Sequence, residues 1–141
     1  MSQVILPKVP SELLTIALRD LKKTIKAGIT IDMFTWGKNI GTPECTVCFA
    51  GAVMLQTENQ NPDVDLDFTH QGVNQDQYVF LDNIREGYLI SGLNCLGIKT
   101  RCKYDKFVNK IEDWLRYDEC SNEVFFKQIE DLIVYLKSKG I

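Results

Sequence analysis

The sequence predicts a mainly α-helical protein, an irregular bundle of five or six helices with room for one short β-strand or hairpin. Three observations carry that reading. Apolar residues recur at three- and four-residue steps through several segments, which is the period of one helix face. Residues that start and stop helices bracket those segments. Sustained two-residue alternation and internal repeats are both missing, so neither a sheet protein nor a repeat array fits.

The first helix is expected over residues 11–27. Leu14, Ala17, Leu18, Leu21 and Ile25 form its apolar stripe, Ser11 is the expected N-cap, and Gly28 suits a left-handed stop. Lys22, Lys23 and Lys26 sit near the negative end of the helix dipole. Ile29, Ile31 and Met33 then alternate with Thr30 and Asp32, which suits a short extended segment leading to Phe34 and Trp36.

A second helix is expected over residues 42–56, with Thr42 as cap, Pro43 in the first position and Glu44 in the first turn. Its body, Cys45 to Leu55, is apolar nearly all round, the pattern of a helix enclosed by others. Gly51 there suggests close approach of another element. Residues 57–75 read as a long polar loop that is either a functional loop, locally disordered, or the carrier of a small strand at 64–68, and it is the expected place for a binding surface.

Leu81, Ile84 and Tyr88 restore helical spacing over residues 77–96, with Asn74 or Asp76 as cap. Gly87 and Gly92 interrupt it, so one kinked helix and two short ones fit equally. Phe107, Val108, Ile111, Trp114 and Leu115 form a further stripe after Asp105. Ser121 caps a last helix whose inward face is Phe125, Ile129, Leu132, Ile133 and Leu136, and Gly140 ends it.

The chain has 141 residues and is read as one helical domain, 1–141, in which 1–9 is an N-terminal extension. Hydrophobic residues make up 45% and charged residues 25%, a globular composition. With a formal net charge of -3, the chain is an unpromising nucleic-acid binder. Residues 31–97 hold nine carboxylates against Lys38 and Arg85, so the middle is acidic. The first residues have no secretory pattern and no apolar run approaches a membrane span, which points to a cytoplasmic protein without a membrane role. Five cysteines in that compartment are expected to be free thiols.

Several constellations invite a chemical reading. Cys45-x-x-Cys48 with Cys95 and Cys102 could supply four thiolates to zinc, or a redox pair, but the spacing of the second pair is poor for a zinc ribbon and buried thiols serve equally as core. Asp63, Asp65 and Asp67 open like a calcium loop, yet Phe68 stands where glycine is needed. His70 has no nucleophile motif beside it. No metal or organic cofactor is therefore expected, and with no catalytic motif in view the chain reads as a non-enzyme.

Lys99, Arg101 and Lys103 alternate, so an extended backbone would point all three one way. They are the best anion-binding candidates, with Trp36 or Tyr104 available for stacking. The alternative is a solvated connection paired with the acidic middle. Arg85 is either an ion-pair anchor or a ligand contact.

Ile31-Asp32-Met33-Phe34-Thr35-Trp36, then Cys48-Phe49-Ala50-Gly51 in an apolar helix, resembles a group of small uncharacterised proteins often encoded by bacteriophages and bacteria. In that group a Met-x-x-Trp precedes a helix with a Cys-x-Ala-Gly core, and Leu81-Asp82-Asn83-Ile84-Arg85-Glu86-Gly87 is similar to its second helix. Many members carry Cys-Gly-Thr before the first helix, which is absent here. The resemblance implies packing roles for these residues, a phage origin and an accessory gene, in a host-cell cytoplasm. Three functions follow in order. The first is a non-enzymatic protein that binds and inhibits or modulates a host protein, such as a defence protein. The second is a small-ligand binder sequestering a nucleotide or signalling molecule. A zinc or redox protein built on Cys45 and Cys48 comes third. Exposed apolar stripes also leave a homodimer open.

Overall fold

A computed structural model describes residues 5–31, 37–38, 46–47, 49–50, 52–53, 74–99 and 109–141. Among them, four α-helices have both ends in view: α1 (Pro10–Lys26), α2 (Gln75–Arg85), α3 (Leu89–Cys95) and α4 (Asn122–Ser138). The mainly α reading holds, with four such helices in place of the five or six expected.

α1 starts one residue earlier than expected. Pro10 occupies its first turn, Val9 is the extended residue before it, and Ser11 is buried inside the turn with no capping bond. A proline with its φ already fixed near the helical value, and no amide hydrogen to satisfy, initiates a helix better than the serine that follows it. Leu13, Leu14, Ala17 and Leu21 are fully buried along one face, and Gly28 ends the helix at φ +84°.

The expected extended segment after α1 is the two-residue strand β1 (Thr30–Ile31). It pairs in parallel with β3 (Thr46–Val47), and β2 (Gly37–Lys38) pairs antiparallel on the other side, giving the order β1-β3-β2. β3 corrects the helix expected over 42–56. Thr46 and Val47 are β-branched and extended, whereas residues 49–50 and 52–53 are helical. Phe49, Ala50, Ala52 and Val53 are fully buried, which is the enclosure their all-round apolar sequence demands.

Of the two readings open for residues 77–96, two separate helices form, divided at Gly87 (φ +83°). The stripe at 107–115 is not a helix over its described part: Lys110 makes a β-bridge, residues 112–113 turn, and Asp113 is left-handed at φ +60°. A short 3₁₀ turn, Tyr117–Glu119, leads into α4, where the Ser121 side chain accepts the Val124 amide hydrogen bond at 3.3 Å.

α1 packs on α4 and α2 on α3, with α1 also touching α2. Phe125 of α4 is fully buried and takes edge-on contacts from Phe49 (5.8 Å), Tyr117 (5.5 Å) and Trp114 (6.2 Å). Such contacts add about 0.5–1.5 kcal/mol each beyond area burial. The extension before α1 is pinned as well. Leu6 is buried; its N–H donates to Asn74 Oδ1 (2.9 Å) and its carbonyl accepts from Gln77 Nε2 (2.8 Å). Asn74, expected as a cap for α2, spends its side chain on this long-range bond and makes no capping bond.

Candidate functional site

Residues 109–116 cross from the α2–α3 corner to α4, and their attachments define a groove. At one end, the Leu89 N–H donates to the Asn109 carbonyl and the Ile111 N–H to the Gly87 carbonyl, both at 2.8 Å, around the antiparallel bridge Tyr88–Lys110. The Trp114 indole N–H donates to the Arg85 carbonyl at 3.1 Å. At the other end, Gln128 on α4 clamps the loop backbone: Leu115 N–H donates to Gln128 Oε1 (2.9 Å) and Gln128 Nε2 donates to the Leu115 carbonyl (2.8 Å). Gly87 admits this arrangement because a Cβ there would stand 2.8 Å from Trp114 Cγ.

Between this loop and α4 lies a groove of about 420 Å³. Leu89, Ile111, Trp114 and Leu132 form its apolar floor, and Tyr135 stands at its α4 side. Gln128, Asp131, Leu132 and Tyr135 follow three- and four-residue steps, so they share one face of α4. Leu115 (40% exposed), bonded to Gln128, and Tyr135 (37%) leave apolar surface beside it. The size falls within the range of built ligand sites, and the wall is fixed by backbone bonds in advance of any ligand.

The polar rim is acidic. Glu112 and Asp113 sit on the exposed turn of the loop with no cation within ion-pair distance among the described residues. Asp131, on the α4 side, is already paired with Lys127 one turn away. Two nearby lysines sit over aromatic rings, Lys110 over Tyr88 (5.3 Å) and Lys139 over the groove residue Tyr135 (5.7 Å). Arg116, at the loop's end, turns to Glu119 (3.0 Å), Asp118 (3.8 Å) and Glu86 (4.0 Å). The hydrogen bond from Arg116 holds the Glu119 carboxyl below the usual carboxylate range.

The residues singled out in the sequence lie elsewhere. Arg85 is an ion-pair anchor: Nε meets Asp82 at 2.6 Å and Nη1 meets Glu86 at 2.7 Å, and the side chain is 17% exposed. Its guanidinium is committed to carboxylates, while its carbonyl holds Trp114. Lys99 is exposed just beyond α3, and neither residue lines the groove. Trp36, Arg101, Lys103, Tyr104, His70, the 63–67 acidic run, Gly51 and Cys45, Cys48 and Cys102 lie outside the described residues.

Cys95 is half-buried, with its thiol donating to the Ser91 carbonyl at 3.2 Å, and burial pushes that thiol up, as it does for Cys120. Thiols shifted that way are poor nucleophiles at neutral pH. Among the described residues no cluster of three or more His, Cys, Asp or Glu side chains is arranged to hold a metal ion, and no helix is long and apolar enough to cross a membrane.

The groove itself escaped the sequence reading, because its walls join residues 89, 111–114 and 128–135 through a non-helical loop. One signal was available: Glu112-Asp113-Trp114 places two acids against an aromatic, a pairing that a purely structural stripe does not require. Comparison with protein-family models, with curated proteins and with solved structures gives no match for this chain.

Proposed function

We propose that this chain is a non-enzymatic binding protein that engages a protein partner through the groove between residues 109–116 and α4. The observation that supports this reading is a preformed apolar floor left open beside exposed Leu115 and Tyr135. Open apolar surface rimmed by polar groups is the usual form of an interaction site. Resemblance to phage-borne accessory proteins makes a host cytoplasmic protein the partner class, with inhibition or modulation of that protein as the outcome.

The reading is tested by site-specific photocrosslinking in host lysate. A photoreactive residue at Tyr135 should give one discrete adduct, and the same group at exposed Thr15 on α1 should give none. Equal adduct patterns from the two positions, or no adduct from Tyr135, would overturn it. A small-ligand binder is the second reading, favoured by the groove's volume, which would hold a molecule of modest size. Such a ligand would occupy the groove and not Arg85, whose charge is already met by Asp82 and Glu86.

A further inference from the structure

We infer that the groove selects a partner segment carrying a lysine or arginine next to a bulky apolar side chain, with the cation seated at the Glu112–Asp113 turn. This rests on the protein-binding reading above and specifies the chemistry of its occupant. The argument is one of complementarity. The floor, built from Leu89, Ile111, Trp114 and Leu132, accepts apolar surface. Directly on its rim stand two adjacent carboxylates, with no cation in ion-pair range among the described residues, and a third at Asp131 that Lys127 already neutralises.

Two neighbouring like charges repel each other and repel an acidic ligand. An incoming cation relieves the first cost and gains from both. The gain is larger beside an apolar floor than in open water, because bound apolar groups displace the solvent that screens the pair. An apolar ligand without charge would leave the turn as it was, and an anionic one would meet the rim unfavourably. Positioning is also in place beforehand. Asp113 holds φ +60°, and the turn is tied on one side through Ile111 to Gly87 and on the other through Leu115 to Gln128. The carboxylates are thus presented by a braced loop, and less ordering is needed on binding.

The test is selection of a displayed random-peptide library on the intact chain, run in parallel on Tyr135→Arg and on the double variant Glu112→Gln, Asp113→Asn. Both changes at the turn keep side-chain size, and asparagine tolerates the left-handed backbone that Asp113 adopts. The wild-type chain should enrich peptides with Lys or Arg beside Leu, Ile, Phe or Trp. The best of these should bind the double variant about tenfold more weakly, with its affinity for the wild-type chain falling as salt is raised.

Enriched peptides without a basic residue, or affinities unchanged in the double variant, would overturn the inference while leaving a protein-binding groove in place. No enrichment over Tyr135→Arg would overturn both. Reversible self-association of the free chain that the best basic peptide fails to displace would put a second copy in the groove, and the inference would fall.

Discussion

Gly87 meets two demands at one position. Its φ of +83° lies where a side chain costs about 1–2 kcal/mol, and the space where a Cβ would go is filled by the Trp114 ring at 2.8 Å. Gly87→Ala is therefore expected to destabilise the fold by about 2–4 kcal/mol, combining backbone strain with overpacking. Denaturant unfolding measures this, and a change under about 0.5 kcal/mol would contradict it. Asp20 presents the opposite case, a residue whose removal should help. It is 1% exposed, its Oδ1 meets exposed Arg19 at 3.2 Å, and its Oδ2 has no hydrogen-bond partner among the described residues. Burial raises its carboxyl above the usual range, only partly opposed by Arg19. A carboxyl raised on folding favours the native state most fully when protonated, and that contribution is lost as pH rises through the folded-state value. Asp20→Asn should accordingly raise the melting temperature at pH 7 and change it less near pH 4. A loss of stability at pH 7 would show that the charge is wanted.

At the scale of elements, legibility followed how local each cause is. The last helix was readable because its cap, its stripe and its stop are all local: Ser121 caps, Phe125 to Leu136 supply the buried stripe, and Gly140 is left-handed. α1 was readable except at its first turn, where Pro10 outcompetes Ser11. Residues 46–47 and 109–115 misled for one reason. Their apolar spacing fits a helix, but their backbone groups find partners on distant chain segments, β1 and β2 in one case and the α2–α3 corner with Gln128 in the other. Periodicity records which side chains are apolar and says nothing about a distant backbone partner. Asn74 shows the same override, leaving the cap position unbonded in favour of Leu6. Gln128 offers a direct test of the clamp. Gln128→Ala deletes two hydrogen bonds to Leu115 and should cost about 1–2 kcal/mol, with faster hydrogen exchange confined to the loop around residue 115. Exchange spread evenly over α2 and α3 would mean the loop is held some other way.

Across the whole molecule, the core and the groove meet at one residue. Phe125 is fully buried among Phe49, Trp114 and Tyr117, so it joins the central helical segment, the groove wall and α4. Phe125→Ala is expected to cost about 3–5 kcal/mol and to loosen the groove with the core, whereas Tyr135→Ser, at a 37% exposed position, should leave unfolding nearly unchanged and affect binding alone. The mainly helical class was legible from composition and period. The groove was not, because its floor also draws on Leu89, remote in sequence from residues 111–114 and from α4, and its acids stand on a turn that the helical pattern conceals. We propose that a protein partner docks in this groove. Hydrogen–deuterium exchange on the chain with its crosslinked partner reads out that docking. Protection should concentrate in residues 109–116 and 128–136; protection on α1 instead, or none in the groove, would contradict the claim.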